Sequence, residues 1–108
     1  MPQRGEVWWV KLGPGLGSEL GKTRPCLILT TNILNERRRT VVVVPLSSSP
    51  QARPPLLVPV TCAGKPVVAV IDRIRAVAKQ RLAEQMDVLS AADLDAVEEA
   101  VREVLELT

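Results

Sequence analysis

The chain has 108 residues, a formal net charge of +2 and 46% hydrophobic residues, so we expect one domain, residues 1–108, with a single core. No apolar run reaches the ~20 residues that a membrane span needs, and the first residues lack the apolar stretch of a signal peptide, which predicts a cytoplasmic protein with no membrane partner. The chain has no histidine, and its two cysteines, Cys26 and Cys62, stand far apart in apolar segments; we therefore expect free thiols, no metal site and no cofactor.

Short runs rich in β-forming residues, separated by glycine and proline, predict the strands. In chain order they are Glu6–Leu12, Pro25–Thr31, Thr40–Val44, Leu56–Val60 and Val67–Ile71, the last continuing to Val77 after a Gly64-Lys65-Pro66 turn. The third run is apolar on both faces and should be a central strand that ends at Pro45. Pro59 places the fourth strand at a sheet edge, because proline cannot donate to a strand ladder.

Alternation in the first and last of these strands predicts which side chains share a face. Trp8 and Trp9 are adjacent, so they must point to opposite faces, one into the core and one to an edge or interface. Two sets of residues are expected on opposite faces of the last strand: Asp72, Ile74 and Ala76 on one, and Arg73, Arg75 and Val77 on the other.

Helical signals lie between the strands and at the C-terminus. Thr31 and Asn32 can cap a short turn, and Lys79–Leu82 can form another. Ser90 with Asp93 has the form of a capping box, and apolar residues follow at helical spacing at positions 94, 97, 101, 104 and 105. The elements predict a mainly β fold with a C-terminal α-helix, in which five or six strands form a strongly bent antiparallel sheet or open barrel.

Charge is unevenly distributed along the chain. Residues 1–81 carry thirteen Lys/Arg against four Asp/Glu, a net charge of +9, whereas residues 82–108 carry one arginine against eight acids, a net charge of −7. A basic body is typical of proteins that bind nucleic acid, and an acidic helix belongs on the opposite surface. Two solvated faces of a generic domain are the alternative explanation.

The loop between the first two strands concentrates chemically useful groups. Glu19, Lys22 and Arg24 lie in or beside a stretch that contains Gly13, Gly15, Gly17 and Gly21. Glycine lets the backbone approach a ligand closely, so this loop can contact a phosphate, although an ordinary solvated hairpin loop is the commoner explanation.

Four motifs in one order then resemble a known family, the PemK/MazF toxin endoribonucleases. They are Arg4-Gly5-Glu6-Val7-Trp8 with Gly17-Ser18-Glu19-x-Gly21-x-x-Arg24-Pro25, Val44-Pro45-Leu46-Ser47, Asp72-x-Ile74-Arg75 and Lys79-Gln80-Arg81-Leu82. The resemblance spans nearly the whole chain. It implies a small SH3-like barrel of five to seven antiparallel strands, a homodimer, metal-independent and sequence-specific cleavage of single-stranded RNA, and control by a cognate antitoxin protein.

The resemblance also assigns roles to residues. Arg24 matches the family's catalytic arginine, Ser47 stands where the family has Thr or Ser, Glu19 matches the loop carboxylate, and Asp72 matches an acidic position that some members use. A guanidinium binds two phosphate oxygens at once, so Arg24 is expected to stabilise the transition state, with Glu19 or Asp72 as the base. Further RNA contacts are expected from Lys22, Thr23, Ser48, Arg53, Arg73 and Arg75.

The sequence departs from the family pattern at two positions and leaves two other functions open. Leu20 replaces a polar residue, and Val70 stands where some relatives have a second arginine, so base preference and the proton donor are not assigned. One alternative is a toxin of the same fold that binds a protein such as DNA gyrase without cutting RNA. The other is a plain nucleic-acid-binding barrel, which usually displays stacking aromatic residues; this chain has only Trp8 and Trp9.

Overall fold

The computed structural model describes residues 1–13, 22–48 and 51–108. These ranges contain seven strands: β1 (Glu6–Lys11), β2 (Thr23–Ile28), β3 (Thr40–Ser47), β4 (Leu57–Cys62), β5 (Lys65–Val70), β6 (Arg75–Ala78) and β7 (Leu82–Val88). They also contain two α-helices, α1 (Asn32–Arg37) and α2 (Ala91–Leu105), and two 3₁₀ turns, Ile71–Arg73 and Lys79–Arg81. In these ranges no helix has the length and apolar character needed to cross a membrane.

The strands form one curled antiparallel sheet. Its order is β4-β5-β3-β2-β1-β7, and β6 also pairs with β3. The result is a half-barrel with one C-terminal helix, so the predicted mainly β, SH3-like fold of five to seven antiparallel strands is confirmed. β3 contacts three other strands and is central, as predicted, while β4 pairs only with β5 and lies at an edge, as Pro59 indicated.

The sheet is buried on both faces at its centre. Alternate residues of β3 enter two separate apolar clusters: Val44 and Leu46 belong to the first, and Val41 and Val43 belong to the second. Helix α2 covers the first cluster through the buried Val97 and Ala100, together with its partly buried Leu94, Val101 and Val104. The second cluster also contains Val10 of β1, Cys26 and Ile28 of β2 and Val77 of β6, and the partly buried Trp8, Leu12 and Leu82 pack against it.

Helix α2 follows its sequence signals with two exceptions. The Ser90 Oγ accepts a hydrogen bond from the Asp93 N–H at 3.1 Å, which is one half of the predicted capping box. The Asp93 carboxylate accepts from the Thr61 N–H at 2.9 Å and not from the Ser90 N–H, so the other half is not formed. Leu105, predicted on the apolar stripe, is 49% exposed. Leu105 is the last residue of α2, so no further helical turn follows to cover it.

Two predicted strand boundaries are wrong. β3 continues through Pro45 to Ser47, because β6 pairs with residues 40–43 and β5 with residues 46–47. Pro45 therefore lies between two partners, where its missing N–H costs no bond to either strand. The predicted Gly64-Lys65-Pro66 turn is also shifted: residues Ala63 and Gly64 make the turn, with φ of 52° and 77°, and Lys65 already pairs with Cys62.

The continuous strand predicted from Val67 to Val77 is interrupted. The Ile71–Arg73 turn separates β5 from β6, so the alternation of faces predicted across residues 72–77 is broken at residues 72 and 73 and holds only within β6, where Arg75 and Val77 share a face. Leu46 pairs with Ala69, and Val43 pairs with Arg75. An advance of three residues along β3 therefore corresponds to six residues along the segment from β5 to β6. Such an insertion bends a sheet, and here the bend forms one wall of a cleft.

Candidate active site

A cleft opens where β2 begins, β3 ends and β5 passes into β6. Its volume is ≈ 610 Å³, which is in the range of small-ligand sites. The residues that line it are Leu12, Gly13, Lys22, Arg24, Pro45, Leu46, Ser47, Leu57, Val70, Arg73 and Arg75. Among the described residues that line the cleft, apolar side chains form much of the wall, and four cations with one hydroxyl supply the polar groups.

The sheet register brings Arg24 and Ser47 to this cleft. Arg24 is the second residue of β2 and Ser47 is the last residue of β3. Cys26 pairs with Pro45 in the ladder between these strands, and the same register continued by two residues places Arg24 across from Ser47. A phosphate bound here can therefore meet a guanidinium and a hydroxyl together.

The other cleft cations reach the same space from different elements. Lys22 precedes β2, Arg73 ends the 3₁₀ turn, and Arg75 begins β6. Among the residues that the structure describes, the ion pairs are Arg4 with Glu98 and Arg102 with Glu99, so none of these cations is paired with a described carboxylate. Several cations around one space repel each other, and a bound anion relieves that repulsion.

Cys26 lies behind the cleft and has the most perturbed acid–base equilibrium in the described chain. Burial raises the pKa of its thiol to about 12, while the nearby guanidiniums of Arg75 and Arg24 partly oppose this rise. The thiol is fully buried and its Sγ donates to the Arg24 carbonyl at 3.7 Å. A thiol in this state stays protonated at neutral pH and is not a nucleophile.

Several predicted site residues lie elsewhere. Thr23 falls between Lys22 and Arg24 on an extended chain, so its side chain points away from theirs. Ser48, Arg53 and Asp72 are exposed and do not line the cleft, although Asp72 directly precedes Arg73. Glu19 lies outside the described residues. Across residues 1–13, 22–48 and 51–108, no three His, Cys, Asp or Glu side chains come together in a way that could hold a metal ion.

Comparison with known proteins identifies the family. Residues 3–105 match the PemK-like, MazF-like toxins of type II toxin–antitoxin systems. The chain belongs to this family. The endoribonuclease MazF9 of Mycobacterium tuberculosis is 33% identical over 116 residues, which cover 99% of this chain and 98% of that protein. The endoribonuclease EndoA of Bacillus subtilis is 31% identical over 105 residues, covering 93% and 90%.

A solved structure shares the fold. An endoribonuclease in complex with its cognate antitoxin, from a mycobacterial species, superposes with a TM-score of 0.83 at 24% identity and covers 100% of this chain and 98% of that one. The resemblance to PemK/MazF toxins inferred from the four sequence motifs is therefore confirmed at the level of family and fold.

One residue beside the toxin cleft has no role in the sequence analysis. Arg81 follows β6 in the second 3₁₀ turn, and its Nη1 donates to the carbonyl oxygens of Lys11 at 2.9 Å and Gly13 at 3.0 Å. Arg81 belongs to the Lys79-Gln80-Arg81-Leu82 motif, but the two carbonyl oxygens that it contacts lie 70 and 68 positions away in the sequence. Within the described part of the chain Arg81 donates to backbone carbonyls, and such partners leave no signal in residue identity.

Proposed function

We propose that this protein is the toxin of a type II toxin–antitoxin system and cleaves single-stranded RNA, without a metal ion, at short preferred sequences. The observation that carries the proposal is the cleft itself: Arg24 and Ser47 share it with Lys22, Arg73 and Arg75. RNA is a polyanion whose phosphates such a set of cations can bind. The curated relatives named above are endoribonucleases, which supports the same activity here.

The proposed reaction uses the RNA's own 2′-hydroxyl as the nucleophile. A base takes the 2′-hydroxyl proton while the 2′-oxygen bonds to phosphorus, and the bond from phosphorus to the 5′-oxygen breaks as that oxygen gains a proton. The products are a 2′,3′-cyclic phosphate and a free 5′-hydroxyl. Arg24 stabilises the negative charge that gathers on the phosphoryl oxygens, and Ser47 orients the phosphate by a hydrogen bond.

The base is one of two carboxylates, and the cleft favours Glu19 over Asp72. Gly13 and Lys22, which border the segment that contains Glu19, both line the cleft. Asp72 does not line it and is exposed in the 3₁₀ turn. Since no described carboxylate lines the cleft, Glu19 is the group we assign to proton removal.

The partners follow from the same assignment. We infer that residues 1–108 act as one cytoplasmic toxin domain, as a homodimer, under control of a cognate antitoxin; the mycobacterial structure named above is a complex with one. An acidic antitoxin segment is expected to occupy the cationic cleft and exclude RNA. Exposed apolar side chains such as Ile33, 68% exposed, and Val88, 56% exposed, provide surface that dimerisation can bury.

Substitution of Arg24 tests the proposed site. Arg24→Ala should lower the single-turnover rate of RNA cleavage on the order of 100- to 1,000-fold, the usual cost of removing one group that stabilises transition-state charge. Binding should fall much less, because three other cations remain in the cleft. Arg24→Lys should recover little activity, since an ammonium lacks the planar fork that spans two oxygens. A labelled oligoribonucleotide reports the rate, and filter binding reports the affinity.

Arg102→Ala is the matched control, because Arg102 is an exposed arginine on α2 that pairs with Glu99 at 3.8 Å. It should cleave at the wild-type rate. If Arg24→Ala is folded and also cleaves at that rate, the assigned site is wrong, and a toxin that binds a protein target becomes the better explanation.

A further inference from the structure

The root of the loop between β1 and β2 is held by a side chain from the other end of the chain. Arg81 donates from one nitrogen to the carbonyl oxygens of Lys11, at 2.9 Å, and Gly13, at 3.0 Å. These carbonyls belong to the last residue of β1 and to the second residue after it. Hydrogen bonds from a charged donor are roughly twice as strong as neutral ones, so Arg81 fixes the direction in which the chain leaves the sheet.

The same root continues across to β2. The Leu12 N–H donates to the Lys22 carbonyl at 2.8 Å, and Lys11 pairs with Thr23. Leu12, Gly13 and Lys22 all line the cleft, whereas Arg81 does not. Arg81 therefore touches the backbone that carries cleft residues without lining the space where a ligand binds.

We propose that Arg81 is a positioning residue for RNA cleavage, which holds the root of the loop so that the cleft residue Lys22 meets the bound phosphate in the correct geometry. The proposal rests on the proposed function. The rate depends steeply on where the groups that contact the phosphate are held, and a misplacement of about 1 Å can cost as much as 100-fold in rate.

The position of Arg81 suits this role better than a purely structural one. It is half-buried and lies in the second 3₁₀ turn, directly before β7, and β7 pairs with β1 from Glu6 to Val10. The ladder that joins these two strands thus stops before Lys11, and the two Arg81 bonds continue the connection by three residues. The loop root is consequently tied to strands on both sides, to β2 by backbone and to β7 by this side chain.

Arg81→Met tests the proposal, because methionine keeps an unbranched side chain but has no donor. We expect the amide hydrogen of Leu12 to exchange with solvent at least about tenfold faster, while the amide of the buried Leu27 exchanges as in the wild type. We also expect the single-turnover rate at saturating RNA to fall about 10- to 100-fold, with the Kd for an uncleavable 2′-deoxy analogue changed by no more than about threefold. Arg102→Met, which removes the same charge from α2, should change none of these quantities.

The outcomes separate this proposal from the function on which it rests. If wild-type protein does not cleave RNA, the proposed function fails, but the exchange of the Leu12 amide still decides whether Arg81 holds the loop root. If the wild type cleaves and Arg81→Met matches it in both rate and Leu12 exchange, the positioning role is refuted. A loss confined to Kd, with Leu12 exchange unchanged, also refutes it and makes Arg81 an RNA contact. Arg81→Lys at the full wild-type rate, with fast Leu12 exchange, shows that only charge matters and refutes it as well.

Discussion

At the scale of single residues, the cleft joins solvent-facing cations to a buried apolar layer. Arg24 is exposed, and Cys26, two positions later on β2, is fully buried in the second apolar cluster. Alternation along a strand puts both side chains on the same face, with the thiol deeper in the molecule. The guanidiniums lower the pKa of this thiol, but burial raises it by more, and the result is about 12.

The raised pKa of the Cys26 thiol makes the free energy of unfolding depend on pH in alkaline solution. Its folded pKa is raised above the ordinary thiol value of 9.0, so the unfolded chain releases this proton first. The stabilisation is complete below about pH 9 and is lost as pH rises toward about 12, with a slope of up to about 1.4 kcal/mol per pH unit for one proton. Cys26→Ala should flatten the fall in unfolding free energy between pH 8 and 10.5.

Urea unfolding followed by tryptophan fluorescence measures this slope, since Trp8 and Trp9 are the only aromatic residues. The comparison uses the pH dependence and not the absolute stability, because the alanine leaves a small cavity. Equal slopes for Cys26→Ala and the wild type contradict the assignment of the raised pKa to this thiol.

The sequence motifs predicted part of the lining of the cleft. Arg24 and Ser47 could be found because the family motifs mark them, and both line the cleft. Arg53 and Asp72 carry the charges that their predicted roles require, but neither side chain lines the cleft. The role of Arg81 could not be predicted, since its acceptors are backbone atoms.

At the scale of elements, two carboxylates join the edge hairpin of the sheet to the opposite end of the fold. The Asp87 carboxylate, on β7, accepts from the Ala63 N–H at 2.6 Å, and the Asp93 carboxylate, on α2, accepts from the Thr61 N–H at 2.9 Å. Both donors lie at the end of β4 or in the turn that follows it. These bonds take the place of a backbone ladder between β4 and β7, and they cover N–H groups of an edge strand.

Asp87→Asn tests this connection. The Ala63 N–H and then the Val88 N–H lower the pKa of Asp87, so its contribution is present above the unfolded pKa of ~3.9 and is lost as pH falls through the lower folded value. The variant should be destabilised at pH 7 by about 1 kcal/mol, a charge-assisted bond discounted for solvent exposure. The difference from the wild type should shrink below about pH 4.

Thermal unfolding at pH 7 and at pH 3 measures the effect. Asp95→Asn is the control, because Asp95 is exposed on α2 and no group within the described residues donates a hydrogen bond to its carboxylate. A variant as stable as the wild type at pH 7 shows that the two ends of the sheet are not joined through Asp87.

Sequence patterns predicted the elements unevenly, for physical reasons. Runs of valine made β3 evident, but β7 was missed, because Ala83, Glu84, Gln85 and Asp87 are poor strand formers and their conformation comes from pairing with β1. The break between β5 and β6 was missed because a strand bend of this kind depends on the partner strand. Local alternation does not reveal that three residues of β3 lie opposite six residues of the segment from β5 to β6.

At the scale of the whole molecule, the charge asymmetry of the sequence appears as two separate surfaces, a basic one at the cleft and an acidic one on α2. Four cations from two stretches of the chain, residues 22–24 and 73–75, converge on the cleft, while the outer face of α2 exposes Asp95, Glu99 and Glu103. The basic surface suits RNA and the acidic segment of an antitoxin. The acidic helix covers the first apolar cluster and keeps its carboxylates away from the cleft.

The most direct test of the central claim is RNA cleavage by the wild-type protein in EDTA, with analysis of the product ends. Two matched oligoribonucleotides are compared: one all-ribose, and one with a single 2′-deoxy nucleotide at the position found to be cut in the first. We expect that EDTA does not slow cleavage, that the products carry a 2′,3′-cyclic phosphate and a 5′-hydroxyl, and that the 2′-deoxy substrate is not cut at that position. Cleavage that stops in EDTA, or that continues at the 2′-deoxy position, would show that the proposed metal-independent attack by the 2′-hydroxyl is wrong.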